Sequence, residues 1–229
     1  MNRYEVAAPP RAASSETAND ILWVTYRWMS LGLALTGLVA WLVSQSPAAL
    51  ELVVGNRMVF YGLVIAQLGL VFGFNAVATR ASAAVTAAMF FAYAALTGLT
   101  FSVLFLVYTS GSIASTFLIT GGTFAGLSVF GAVTKRDLSA IGRFAMFAVI
   151  GLIIASVVNI FLASSALMWV TTFAGILIFA ALTAYDTQKL KELAAAGVGG
   201  NLALRGALTL YLDFINMFLF LLRLFGNRR

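Results

Sequence analysis

Residues Phe144 to Tyr185 read FAMFAVIGLIIASVVNIFLASSALMWVTTFAGILIFAALTAY, 42 positions without a formal charge. A helix that crosses a bilayer needs about 20 apolar residues. The stretch is therefore too long for one span and right for two, with the turn at Ala163–Met168 (ASSALM). Outward from it, Ala81–Thr134 has 54 uncharged positions, again two spans, folded at Tyr108–Ser115 (YTSGSIAS). Met58–Thr79, with 22, holds one more. Trp28–Ser44 and Gly206–Leu222 complete a seven-helix transmembrane bundle over residues 21–229. The chain is 62% hydrophobic and 10% charged, with a mean hydropathy of +0.98, which excludes an ordinary soluble domain. A membrane β-barrel alternates apolar and polar residues over about ten positions; these runs are apolar all round.

Residues 1–20, MNRYEVAAPPRAASSETAND, lack the apolar core of a signal peptide. They are read as a flexible tail that ends near a helix N-cap at Asn19 or Asp20. Seven spans put Arg3, Arg11, Arg80, Lys135, Arg136, Arg143, Lys189, Lys191 and Arg205 on one face. Arg57, Arg223, Arg228 and Arg229 fall on the other, and Arg27 heads the first helix. The excess of bases predicts a cytoplasmic N-terminus. The terminal GNRR then lies outside, unless the last segment is re-entrant and returns it to the cytoplasm. The formal charge of +6 reflects topology, since no contiguous basic patch suits nucleic acid.

The chain has no His and no Cys, which removes imidazole-dependent triads, thiol chemistry, disulfides and His- or Cys-ligated metals. No enzymatic activity and no resident cofactor are expected. Gly121, Gly122 and Gly126 in the fourth helix predict a close helix contact. Trp23, Trp28, Trp41 and Trp169 predict interfacial anchors. Gln67, Asn75, Asn159 and Asn216 fall inside spans and are expected to bond neighbouring helices.

Asp213 stands apart. It is the only charged residue in Gly206–Leu222 (GALTLYLDFINMFLFLL), and an acid at mid-span costs several kcal/mol unless paired, protonated or wet. Asp186, in TAYDTQKL, closes the preceding helix, and Arg80 closes the second. Asp186 and Asp213 are too far apart in sequence to share a helix face, but two antiparallel helices joined by the Lys189–Leu202 loop can bring them together. Two carboxyls in a dry interior favour sharing one proton. Its loss leaves like charges that push the helices apart unless Arg80 or a cation compensates. Calcium, a hard cation that takes oxygen ligands, suits such a pair as a transient occupant only, because a tight site uses about six to eight oxygens.

LYLDFINMF (Leu210–Phe218), AYDTQKLK (Ala184–Lys191) and TKRDLS (Thr134–Ser139) resemble the transmembrane Bax inhibitor motif family in its bacterial branch. The resemblance runs from about Trp23 to the C-terminus. It implies a multi-pass protein of the bacterial inner membrane, with the last helix central and six around it. It also implies a pH-sensitive calcium leak in which two aspartates sense protons and a base from the second helix binds one of them. The matching positions are Asp186, Asp213 and Arg80, the last a single Arg where the related pattern has several bases. Another branch implies a different role in stress response and cell survival, restraining a membrane-bound ATP-dependent protease, for which the N-terminal tail is a possible handle. Intramembrane aspartyl proteases also pair a YD with a second Asp. Their second acid follows a glycine-rich G-x-G-D, where this chain has Leu210-Tyr211-Leu212-Asp213.

Overall fold

The computed structural model describes residues 15–229. Seven of its helices are long and apolar enough to cross a membrane. They are α1 (Ser15–Ser44), α2 (Arg57–Ala78), α3 (Ala83–Phe101, continued by a turn at Leu104–Val107) and α4 (Ser110–Val133). The remaining three are α5 (Ser139–Leu162), α6 (Ser165–Ala195) and α7 (Leu202–Phe225). The expected tail lies outside the described residues as far as residue 14; from Ser15 onward the chain is helical, so Asn19 and Asp20 sit within α1 instead of capping it.

Local chemistry sets the helix starts. Asn56 accepts from the Met58 and Val59 amides at α2, Ser82 from Val85 at α3, Thr109 from Ser112 at α4, and Ser164 from Leu167 at α6. Each cap satisfies amides that the helix itself cannot. The two long uncharged runs therefore fold more tightly than expected: α4 begins at Ser110 and α6 at Ser165, so much of each predicted turn is helical.

Inside the bundle, buried hydroxyls are satisfied locally. Thr25, Thr86, Thr97, Thr120 and Thr183 each donate to the carbonyl four residues earlier. This is how a polar side chain is tolerated where no water reaches.

The last helix has the largest buried share of the seven spans, 56% against 6% for α2 and 11% for α5. It packs on α6, α1 and α4, and more lightly on α3 and α2; α5 packs on α6 instead. No residue from Leu202 to Leu222 is exposed. Both ends of α7 are tied down. Asn201, in the left-handed conformation at φ 57°, donates to the carbonyls of Ala78 and Ala81 at the α2–α3 turn, each at 3.0 Å. After the helix, the Thr109 amide donates to Asn227 O and the Arg229 amide to Val107 O at the α3–α4 turn. The helix thus runs from one end of α3 to the other. Its 24 residues extend about 36 Å, more than the hydrocarbon thickness. The re-entrant alternative is set aside by this through-going course.

Several polar expectations need correction. Gln67 does bridge α2 to α3, meeting Thr97, Thr100 and Leu96 O, and Asn75 accepts from Arg205 on α7. Asn159 instead accepts from Ser164 at its own helix end, and Asn216 donates to Leu212 O within α7. Trp28 packs on Phe91 of α3, with ring centroids 5.6 Å apart. Gly121, Gly122 and Gly126 make no close helix contact; a Cβ at any of them meets nothing within 4 Å among the described residues.

The close approaches lie elsewhere, at Gly131 and Gly142. A Cβ on Gly131 would collide with the Ala184 carbonyl of α6, and one on Gly142 with the Tyr185 ring. Gly131→Ala is expected to destabilise the bundle by about 1–3 kcal/mol, because backbone cannot move aside as a flexible side chain can. Gly122→Ala, facing open space, should be neutral or slightly stabilising. Thermal unfolding in detergent separates the two; equal melting points would contradict this packing.

Candidate proton-sharing aspartate pair

The turn of α6 that carries Asp186 is fixed from several sides. Gly131 and Gly142 admit α4 and α5 against Ala184 and Tyr185. Thr187 meets the Tyr26 hydroxyl of α1 at 3.3 Å. Gln188 clamps the α4–α5 loop, its amide donating to Arg136 O at 2.8 Å and its oxygen accepting from the Leu138 amide at 2.9 Å. Lys191 donates to Ala132 O at 2.7 Å.

On α7, the turn with Asp213 is set by aromatic packing. Tyr211 stacks edge-on against Phe90 and Tyr93, both with centroids 5.8 Å away, and its hydroxyl meets Thr36 at 2.6 Å. Phe214 lies against Phe117 and Phe124 of α4. These contacts leave Asp213 only 4% exposed.

The two predicted acids are brought together: their carboxyls are neighbours across the packed α6–α7 interface. Asp213 is enclosed and Asp186 half-buried. Asp213 Oδ2 is buried and has no hydrogen-bond partner among the described residues. Ionised carboxylates only accept, so a hydrogen bond between these two requires one of them to carry a proton.

Arg80 is not part of this group. It is exposed at the turn after α2, and α2 shares no packed face with α6. The cation whose field reaches Asp186 is Lys189, one turn further along α6, with its ammonium 5.5 Å from the Tyr185 ring centre. Lys189 was legible only as a topology charge, although its i+3 spacing from Asp186 was the available signal. Asn201 and Gln188, which hold the ends of the pair's helices, had no sequence signal beyond being polar in loops and helix ends. No cluster of three or more acids suited to a tight metal site occurs among the described residues.

The profile of the family described as "Inhibitor of apoptosis-promoting Bax1" matches residues 18–229. The chain is 52% identical over 210 residues to the inner membrane protein YbhL of Escherichia coli K12, covering 89% of this chain and 90% of that one. An uncharacterized protein of Deinococcus radiodurans is 51% identical over 209 residues, 90% of this chain and 89% of the relative. An uncharacterized membrane protein of Streptococcus pyogenes serotype M3 is 34% identical over 214 residues, 91% and 93% of the two chains. With seven apolar spans and a match over nearly its whole length, the chain belongs to the Bax inhibitor family of multi-pass membrane proteins.

Proposed function

We propose that this protein is a proton-gated cation leak of the inner membrane, the location named for its YbhL relative, with Asp186 and Asp213 as the gate. The observation that carries the reading is an enclosed aspartate on the most buried helix, with a second acid beside it on the helix before. With one proton between them the carboxyls bridge α6 and α7. Without it, two negative charges face each other in a medium that screens them poorly. The helices then separate or a cation enters. Calcium fits as a passing occupant, because two carboxylates supplemented by carbonyls and water bind weakly enough for the ion to leave.

Polar side chains also cross the bundle beside α7. Thr36 and Tyr211 meet, and Gln67 joins Thr97 and Thr100, giving hydroxyl and amide groups from α1 through α7 and α3 to α2. Asp137, in the α4–α5 loop, does not compete as a sensor. It is exposed, and hydrogen bonding to Ser139 holds its carboxyl below the ordinary carboxylate range, so it stays ionised around neutrality.

Calcium entry into proteoliposomes tests the gate. Flux is expected to rise from mildly acidic to mildly alkaline buffer in the natural protein. In the double variant Asp186→Asn, Asp213→Asn it should become independent of pH. Unchanged flux and unchanged pH dependence in that variant would end the proposal.

The cation beside the pair gives a second expectation. Removing Lys189 makes ionisation of the acids harder, so Lys189→Gln should move the flux transition to higher pH. Arg80→Gln should leave it in place, given the position of Arg80. A larger shift in the Arg80 variant would return that residue to the gate.

A further inference from the structure

Helices α1 and α4 share no packed face, and a crevice of about 750 Å³ lies between them. Its walls include Leu22, Tyr26 and Leu33 from α1 and Phe117, Gly121 and Ser128 from α4, and its floor is Phe214 of α7. Clefts that hold small ligands have volumes of about 300–1,000 Å³. The lining on α1 runs from Asn19 to Ala34, about 22 Å at helical rise. One leaflet with its headgroups is about 20–22 Å thick. The rim carries exposed Trp23 and Val129, 67% and 61% accessible, as lipid-facing residues would be.

The crevice is not uniformly apolar. Ser128 Oγ is one of two buried side-chain polar atoms without a partner among the described residues. It departs from the buried threonines, which donate to their own helices. Ser128 lies one turn, about 6 Å, below Ala132, where the crevice ends. At that end Lys191 spends one donor on Ala132 O and keeps two. Lys135 is exposed just beyond α4, and Asp20 is the acid beside Asn19.

We infer that this crevice seats one anionic phospholipid. An acyl chain lies along Phe117, Gly121 and Phe214, an ester oxygen accepts from Ser128, and the phosphate meets Lys191 and Lys135. The spacing follows the lipid itself, in which charge, ester and hydrocarbon succeed one another within a few ångströms.

Native mass spectrometry of the full chain released from bilayers tests this, using phosphatidylglycerol and phosphatidylcholine with the same acyl chains. One phosphatidylglycerol should survive detergent that strips the others, and phosphatidylcholine should survive less. Gly121→Leu fills the crevice, and a Cβ there meets nothing within 4 Å, so the bundle should fold normally. Retention is expected to fall about tenfold, the equivalent of two or more lost methylene contacts. Gly62→Leu, on the open face of α2, should retain lipid as the natural protein does. Lys191→Gln should reduce the preference for phosphatidylglycerol. Retention unaffected by Gly121→Leu would overturn the assignment, and it is the result expected if residues 1–14 or a second copy fill the crevice. Equal retention of the two lipids would overturn the anionic headgroup.

Discussion

Everything around α6 and α7 depends on one carboxyl group that has no water to turn to. An aspartate side chain is too short to reach an interface from within a buried helix, so the burial of Asp213 has to be compensated on the spot. The group that meets it is another acid, and a pair of acids holds together through a proton. In the proposed gate a single hydrogen nucleus contributes to the contact between the last two helices, and the rest of the bundle fixes the geometry around it.

That fixing is distributed. Gly131 and Gly142 allow α4 and α5 to press on the Asp186 turn, Gln188 ties it to the α4–α5 loop, and Tyr211 locks the Asp213 turn through Thr36. The peripheral helices α2 and α5, with little buried area, have room to face lipid on most of their surface. Apolar surface drives no helix association within a bilayer, so contact is earned by shape and by hydrogen bonds. Small residues and self-satisfied threonines serve both ends.

Much of this was legible beforehand, and the reason is physical. Absence of charge over 42 or 54 positions has one inexpensive explanation, so the number of spans followed from length alone. Asp213 was conspicuous for the converse reason, a charge where charge is costly. Three-dimensional neighbours were less accessible. Arg80 was chosen as the base because it closes an apolar run, yet packing assigns α2 to α3 and leaves Arg80 exposed, while Lys189 reaches Asp186 along its own helix. The glycine spacing in α4 pointed to a contact, but spacing does not say whether the opposite helix arrives; α1 stands off and a crevice remains. The helical start at Ser15 was hidden because polar residues at a helix end resemble a linker.

Infrared spectroscopy of the protein in lipid tests the shared proton most directly. At neutral pH the account predicts a C=O stretch from a protonated carboxylic acid, absent from the double variant Asp186→Asn, Asp213→Asn, shifted in frequency in Asp186→Asn, where Asp213 stays enclosed, and lost as the buffer is made alkaline. A natural protein showing only carboxylate bands at neutral pH would contradict it.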